Sequence, residues 1–126
     1  MGEHPNADLA RKLFEAMDSG EVAVGRSLIA DDVVWHTIGG RTVEGLVQLE
    51  AAMTGGGDFS ITGDVHDVVA NDDHVVALIN ATATAGDQEL TYRTAEIMHV
   101  EDGKITERWA FSDDTQAIID FFSQFE

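Results

Sequence analysis

The sequence has no cysteine, few basic residues and no long apolar run. Without cysteine, the chain forms no disulfide, no thiolate nucleophile and no zinc–thiolate site. No apolar run approaches the roughly 20 residues that a membrane-spanning helix requires. The N-terminus also lacks the pattern of a signal peptide, in which an apolar segment follows a basic one. We therefore expect a soluble, cytoplasmic protein.

Positive charge is scarce, because the sequence has only 7 Lys and Arg residues but 24 Asp and Glu residues, and its formal net charge is −17. The basic residues are scattered singly, whereas phosphate binding uses clusters of Lys and Arg, so we expect no nucleic acid and no membrane among the partners. Such an acidic surface favours solubility. It is also expected in a high-salt cytoplasm, where screening removes the repulsion between like charges.

Length and apolar content predict one domain over residues 1–126. The chain has 126 residues and is 44% apolar, enough to bury roughly two-thirds of its unfolded surface around one core. The apolar spacing of the first half predicts helices over 6–20, 21–30 and 46–53, with a strand over 31–38. Asn6 is the expected N-cap of the first helix and Gly20 its end, and the glycines at 55–57 end the third.

After residue 58 the hydrophobic period changes from helical to two. Strands are predicted over 59–70, 74–85, 89–100 and 104–111, joined by short turns, which makes an antiparallel meander. The tail predicts a last helix, capped by Asp113–Asp114, with its apolar face at Ile118, Phe121, Phe122 and Phe125. Helices followed by such a sheet indicate an α+β domain with the helices on one face.

The order of these elements carries a family resemblance, together with the stretches ADDVVWHTIGG at 30–40 and MHVEDGKITERWAFSDD at 98–114. The chain resembles SnoaL-like, polyketide-cyclase-type proteins of the NTF2-like superfamily. The resemblance implies a cone-shaped, strongly bent antiparallel sheet wrapped over helices, a deep apolar pocket and frequent dimers. Its members include cyclases, ketosteroid isomerases, epoxide hydrolases and non-catalytic binding domains, so the fold does not determine the function.

The hairpin at Asp102–Gly103 decides which residues would line such a pocket. We predict a three-residue loop with a bulge at Gly103, because this register separates polar from apolar side chains. It places Glu96 opposite Arg108, Thr94 opposite Ala110 and Met98 opposite Thr106. The other face then holds Ala95, Ile97, Ile105, Trp109 and Phe111. A two-residue loop would instead pair Ile97 with Arg108 and Glu96 with Trp109.

The residue sets of the established family chemistries are incomplete here. Ketosteroid isomerases use a strand carboxylate as base, with a tyrosine and a second acid as oxyanion hole. The resemblance places the base at Thr37, the tyrosine at Leu13 and the second acid at Glu96. Only the second acid is therefore matched by a residue of the right type. The last-strand acid of the aldol-type cyclases and epoxide hydrolases falls on Ala110. The family therefore does not give the activity.

Glu96 and His36 are the candidate groups for moving a proton. In a pocket, burial would make Glu96 a stronger base, but Arg108 would keep it a carboxylate and favour recognition of an anionic or carbonyl group by Arg108. An exposed pair would have neither role. Strand alternation puts His36 on the face opposite to Trp35 and Thr37, unless a bulge turns it inward. The candidate ligand-binding residues are Arg108, Trp35, Thr37, Thr94, Met98 and Ala110.

Two function classes follow. The first is a cofactor-independent isomerase, cyclase or hydratase-like enzyme that acts on a small hydrophobic carbonyl compound. The second is a non-catalytic domain that binds such a molecule or dimerises. No His-x-His or His-x3-His spacing indicates a metal site, so we expect no metal and no cofactor. The apolar face that holds Trp109 and Phe111 predicts a homodimer.

Overall fold

The computed structural model describes residues 4–54 and 59–124, without the side chains of residues 52–54. The helices in this part of the chain are α1 (Pro5–Ser19), α2 (Val22–Ser27), α3 (Leu46–Thr54) and α4 (Thr115–Ser123). No helix of the described ranges is long and apolar enough to cross a membrane. All four predicted helices are present, although the predicted positions of Phe125 and of the glycines at 55–57 lie outside the described residues.

The first helix begins one residue before the predicted cap. The Nδ1 atom of His4 accepts a hydrogen bond from the backbone N–H of Asn6 at 3.1 Å, so His4 is the N-cap. Asn6 instead donates its side-chain amide to the backbone oxygens of Asn71 and Asp72. The prediction was wrong because this tertiary contact uses the side chain that would otherwise cap the helix. Gly20 ends the helix with a φ of 75°, as predicted.

The second helix is shorter than predicted because the chain joins the sheet at residue 28. The backbone oxygen of Leu28 accepts a hydrogen bond from the N–H of Ile105 at 2.9 Å, and Ile29 begins a strand. The strands of the described ranges are β1 (Ile29–His36), β2 (Thr42–Glu44), β3 (Ser60–Ala70), β4 (His74–Ala85), β5 (Gln88–Glu101) and β6 (Lys104–Ser112). The short strand β2 was not predicted.

The six strands form one curled sheet in the order β2-β1-β6-β5-β4-β3. Strands β3 to β6 make the predicted antiparallel meander. Strand β1 extends it by pairing with β6 in parallel, and β2 pairs antiparallel with β1. The sheet curls around the N-terminal helices, so the predicted α+β fold is confirmed.

The hairpin between β5 and β6 differs from the predicted register. A two-residue turn joins Glu101 to Lys104, and both its residues are left-handed, with φ of 51° at Asp102 and 74° at Gly103. A bulge at Thr106 then shifts the pairing, so that Glu96 lies opposite Ala110 and not opposite Arg108. The preferred three-residue loop was therefore wrong, because the extra residue sits after the turn and not in it.

The observed pairing is shifted by two residues from the predicted one, and an even shift keeps each side chain beyond the bulge on its predicted face. Glu96, Met98 and Arg108 share the inner face, which covers the core, while Ile97, Trp109 and Phe111 lie on the outer face. Ile105 precedes the bulge and is fully buried in the core, so its predicted outer position was wrong. The inner face packs against α1 and α4 through apolar residues that include Leu13, Ile118 and Phe121.

Candidate functional site

Glu96 and Arg108 form an ion pair on the inner face of the sheet. Because Arg108 lies opposite Met98, the two side chains meet diagonally. Arg108 Nε donates to Glu96 Oε1 at 2.8 Å, and Arg108 Nη2 lies 2.7 Å from the same oxygen. Each side chain is only 13% exposed. The predicted contact is therefore present and well buried, unlike an exposed cross-strand pair.

The guanidinium of Arg108 is held by three neighbours. Its Nη1 donates to the backbone oxygen of His36 at 3.1 Å, and its central carbon lies 4.7 Å from the ring centre of Trp35. The third neighbour is Glu96, which the Nε and Nη2 atoms both contact. The second oxygen of Glu96, Oε2, accepts no hydrogen bond from the described residues. The pair thus holds one carboxylate oxygen in place and leaves the other available.

Two buried hydroxyl groups lie on the same face of β5, at Tyr92 and Thr94. Each residue is 8% exposed, and neither hydroxyl has a hydrogen-bond partner among the described residues. In that part of the chain, no side-chain nitrogen or oxygen that is sealed from solvent lacks a partner. The two oxygens therefore keep contact with a solvent-sized space. Burial raises the pKa of the Tyr92 phenol, the charge of Glu96 raises it further, and Arg108 lowers it.

Sequence reasoning identified Thr94 but missed Tyr92. The signal was available, because side chains at alternate positions of a strand share a face, and Tyr92, Thr94 and Glu96 are two residues apart. The family resemblance matches the tyrosine of ketosteroid isomerases to position 13, where this chain has leucine, and so gives no indication of Tyr92.

The other candidate ligand-binding residues separate into two groups. Trp35 and Met98 are buried in the hydrophobic core, and Ala110 lies opposite Glu96. These three therefore surround the ion pair. Thr37 instead closes the turn between β1 and β2, where its hydroxyl and its backbone N–H both donate to the backbone oxygen of Arg41.

His36 lies on the outer face of the sheet, away from Glu96. Its Nε2 is 2.7 Å from Glu107 Oε2, its Nδ1 is 3.1 Å from Thr42 Oγ1, and its ring stacks on Trp109 at 5.7 Å. The bulge that would turn it inward does not occur there, because the irregularity of β1 lies between Ile29 and Val34. The position of His36 therefore follows strand alternation, and His36 and Glu96 lie on opposite faces of the sheet.

Comparison with known proteins identifies the family of this chain. The family model described as a SnoaL-like domain matches residues 10–108, which is most of the chain. The chain belongs to the SnoaL-like domain family. No curated protein matches its sequence.

Solved structures similar to this SnoaL-like domain share its fold over nearly their whole length. Bal32a, from a soil-derived mobile gene cassette, is 22% identical with a TM-score of 0.81, covering 94% of this chain and 96% of Bal32a. A Xanthomonas campestris protein of unknown function with a cystatin-like fold is 26% identical with a TM-score of 0.79, covering 91% and 95%. An M. tuberculosis LEH-like epoxide hydrolase is 17% identical with a TM-score of 0.74, covering 86% and 83%.

A separate open groove of about 370 Å³ lies between β2 and α3. It is lined by Arg41, Thr42, Val43, Gln48 and Ala51. None of the candidate site residues borders this groove, and its one ionisable side chain, Arg41, is exposed. Within the described residues, no group of three or more His, Asp and Glu side chains is arranged to hold a metal ion. The candidate site of this SnoaL-like domain is therefore the inner face around Glu96.

Proposed function

We propose that this SnoaL-like domain binds a small, mainly apolar molecule on the inner face of its sheet, where Glu96 accepts a hydrogen bond or a proton from it. The observation that carries the proposal is the free Oε2 of the buried Glu96, which shares a face with the unpartnered hydroxyls of Tyr92 and Thr94. Buried polar groups are normally hydrogen-bonded. A bound molecule would form hydrogen bonds with these three oxygens.

The arrangement suits proton transfer on a carbonyl compound. Glu96 Oε2 would take a proton from the carbon next to the carbonyl group, and the electron pair of that C–H bond would move to the carbonyl oxygen. The Tyr92 hydroxyl would donate a hydrogen bond to the resulting enolate oxygen, as general acid–base catalysis requires. Return of the proton from Glu96 to a different carbon would complete an isomerisation; in a cyclisation the enolate carbon would instead form a bond to a second carbonyl carbon of the ligand, and the resulting alkoxide oxygen would take the proton from Glu96, in both cases without a cofactor.

Binding without catalysis is the second candidate, and the Arg108 contact favours it. Arg108 donates to Glu96 Oε1 and holds the carboxylate in one orientation. Glu96 would then act as a fixed acceptor for a ligand hydroxyl group. The two candidates share the binding site and differ only in whether a proton leaves the ligand.

Deuterium exchange separates the two candidates. With 2-tetralone as the carbonyl probe, we expect the wild-type protein to accelerate exchange of the protons next to the carbonyl group in D2O, followed by NMR. Glu96→Gln should remove the acceleration. Glu107→Gln, which changes a glutamate on the outer face, should keep it.

Binding of 2-tetralone without exchange would support the non-catalytic candidate. Two-dimensional NMR gives the location of the probe, because Trp35 lies on the inner face and Trp109 on the outer face. If the indole N–H signal of Trp35 does not move at any concentration of 2-tetralone, the proposed proton transfer on a carbonyl compound is wrong.

We also propose that a second copy of the chain covers the outer face. Two apolar rows cross the sheet there, and exposed side chains include Val69, Leu78 and Phe111 at 57%, 41% and 58%. One row joins Val69, Val76, Ile97 and Trp109, and the other joins Leu78, Ala95 and Phe111. A face of this kind is typical of a homodimer interface.

Sedimentation tests this homodimer. At micromolar concentration and in salt high enough to screen the charges, we expect the wild-type chain to sediment as a dimer and Phe111→Glu as a monomer. Val47→Glu is the matched control, because Val47 is 82% exposed but lies on α3. A monomeric wild-type chain would contradict the proposal.

A further inference from the structure

We infer that the ligand's polar group is uncharged and carries a hydrogen that it donates to Glu96, as an alcohol, phenol or enol does. This inference rests on the proposed function and narrows its ligand class. It replaces the expectation that Arg108 recognises an anionic group. The reason lies in which hydrogen-bonding groups of the site are occupied and which are free.

The Nε–Nη2 edge of the Arg108 guanidinium, which suits a planar anion, is already occupied by Glu96. Arginine binds carboxylates and phosphates best through two parallel N–H groups. In this site the Nε and Nη2 atoms both lie within 2.8 Å of Glu96 Oε1, and Nη1 donates to the backbone oxygen of His36. One N–H hydrogen on Nη1 and one on Nη2 have no partner among the described residues, but an anion that bound them would lie beside the carboxylate of Glu96, which already neutralises the guanidinium.

Besides these N–H hydrogens, the groups of the site without a partner among the described residues are one pure acceptor and two hydroxyls. Glu96 Oε2 can only accept a hydrogen bond, while Tyr92 and Thr94 can each donate or accept one. A ligand hydroxyl fits this set because it donates to Glu96, and a ligand oxygen can accept from Tyr92 or Thr94. A ligand carboxylate would place a second negative charge beside Glu96, in a chain whose net charge is already −17.

The three groups also indicate how the ligand lies. They occupy alternate positions of β5, and such positions are roughly 6.5 Å apart along a strand. The core residues Trp35 and Met98 flank the end of this row near Glu96. We therefore expect the apolar body of the ligand to lie along β5, with its donating oxygen at the Glu96 end.

Three probes with one aromatic body test the inference. 2-Naphthol donates and accepts a hydrogen bond, 2-methoxynaphthalene only accepts, and 2-naphthoate is an anion. NMR titration of the full chain gives each Kd, and the indole signals of Trp35 and Trp109 show which face is occupied. We expect 2-naphthol to bind about tenfold more tightly than 2-methoxynaphthalene, because a hydrogen bond to a charged group contributes at least a factor of about this size. We expect 2-naphthoate to bind most weakly of the three.

Variants assign the preference to individual groups. Glu96→Gln should reduce the advantage of 2-naphthol and improve the binding of 2-naphthoate. Tyr92→Phe removes one oxygen without changing the ring, and it should weaken the binding of 2-naphthol and of 2-methoxynaphthalene by the same factor. This variant tests the site if Glu96→Gln does not fold. Thr94→Val should weaken binding, whereas Thr91→Val, on the outer face of the same strand, should leave every Kd unchanged.

The outcomes separate this inference from the proposed function. Tightest binding by 2-naphthoate, with the Trp35 signal moving, would overturn the uncharged ligand class and leave inner-face binding intact. Equal binding of 2-naphthol and 2-methoxynaphthalene would also overturn it, because the donated hydrogen would then contribute nothing. If none of the three probes moves the Trp35 signal, binding on the inner face is itself wrong.

Discussion

The side chain of Arg108 contacts two residues, Glu96 and His36, whose own side chains lie on opposite faces of the sheet. Its side chain contacts Glu96 on the inner face, and its Nη1 holds the backbone of His36, whose ring lies on the outer face. The neighbouring Glu107 binds that ring from β6. The inner ion pair is therefore fixed by contacts from two strands, which keeps Glu96 Oε1 in place and directs its free oxygen toward the same face as Tyr92.

The buried pair predicts a large loss of stability when one charge is removed. Glu96→Gln nearly keeps the shape of the side chain but leaves the 13%-exposed Arg108 without its counter-charge. Breaking a buried ion pair from one side costs about 3 kcal/mol or more. Urea unfolding should show a decrease of that size in the free energy of unfolding.

Glu107→Gln is the matched control for this measurement. Glu107 and His36 also form a short contact, but their side chains are 35% and 33% exposed. An exposed pair contributes less than about 1 kcal/mol. If the two glutamine variants lose the same stability, the inner pair is not the stronger contact and its burial has no energetic consequence.

Tyr92 provides a pH prediction with a direct optical readout, since it is the only tyrosine of the chain. Burial raises its pKa above the ordinary value of 10.0, and Glu96 adds to this increase. The folded state therefore keeps the phenol proton longer than the unfolded state. The associated stability is fully present below about pH 10 and is lost as the pH rises through the raised pKa.

Absorbance at the phenolate band measures this titration. We expect the midpoint of the folded protein to lie above that of the protein in denaturant. Glu96→Gln should move the midpoint back toward the ordinary value, because it removes a nearby negative charge. A folded midpoint equal to the denatured one would contradict the buried position of Tyr92.

At the scale of elements, the β5–β6 hairpin determines which side chains can meet. The two-residue turn alone would leave Glu96 opposite Trp109 and on the other face from Arg108. The bulge at Thr106 adds one residue to β6 and returns Arg108 to the inner face. Turn and bulge thus act together, and neither by itself gives the observed site.

Glycine substitutions in two elements should have opposite effects. Gly103 has a φ of 74° in the turn, and a residue with a Cβ atom in this conformation costs roughly 1 kcal/mol. Gly25 lies in α2, where an added Cβ would lie 3.9 Å from Leu13, an ordinary contact distance. Alanine in a helix interior gains about 0.5–1 kcal/mol over glycine.

Thermal unfolding therefore should show a lower midpoint for Gly103→Ala and a higher one for Gly25→Ala. The two variants add the same methyl group, so the comparison removes any general effect of the substitution. A shift of both midpoints in the same direction would contradict the assigned backbone conformations.

At the scale of the whole molecule, the net charge of −17 opposes the compact state through self-repulsion. Salt screens exposed charges, with a Debye length that falls to about 3 Å at 1 M. We expect the thermal midpoint to rise between low and multimolar KCl. An unchanged midpoint would mean that the acidic surface serves solubility and is not an adaptation to high salt.

Local patterns in the sequence predict the type of nearly every element and the class of fold. The strands of the meander follow from a period of two, and α4 from a helical period with Asp114 as its cap, whose side chain accepts from the N–H of Ala117. These signals are local, because each depends on side chains within a few residues of one another. The shared face of Glu96 and Arg108 was also predicted, since the observed register differs from the expected one by an even number.

Other features depend on contacts between distant parts of the chain and form only in the folded protein. The early end of α2 and the strand β2 depend on backbone hydrogen bonds to other strands. The contact between His36 and Glu107, which is 71 residues away, also forms only when β1 and β6 lie side by side. The bulge at Thr106 places Ile105 in the core and Arg108 beside Glu96 at once. No local pattern contains these contacts, because their stabilisation exists only when the strands are already side by side.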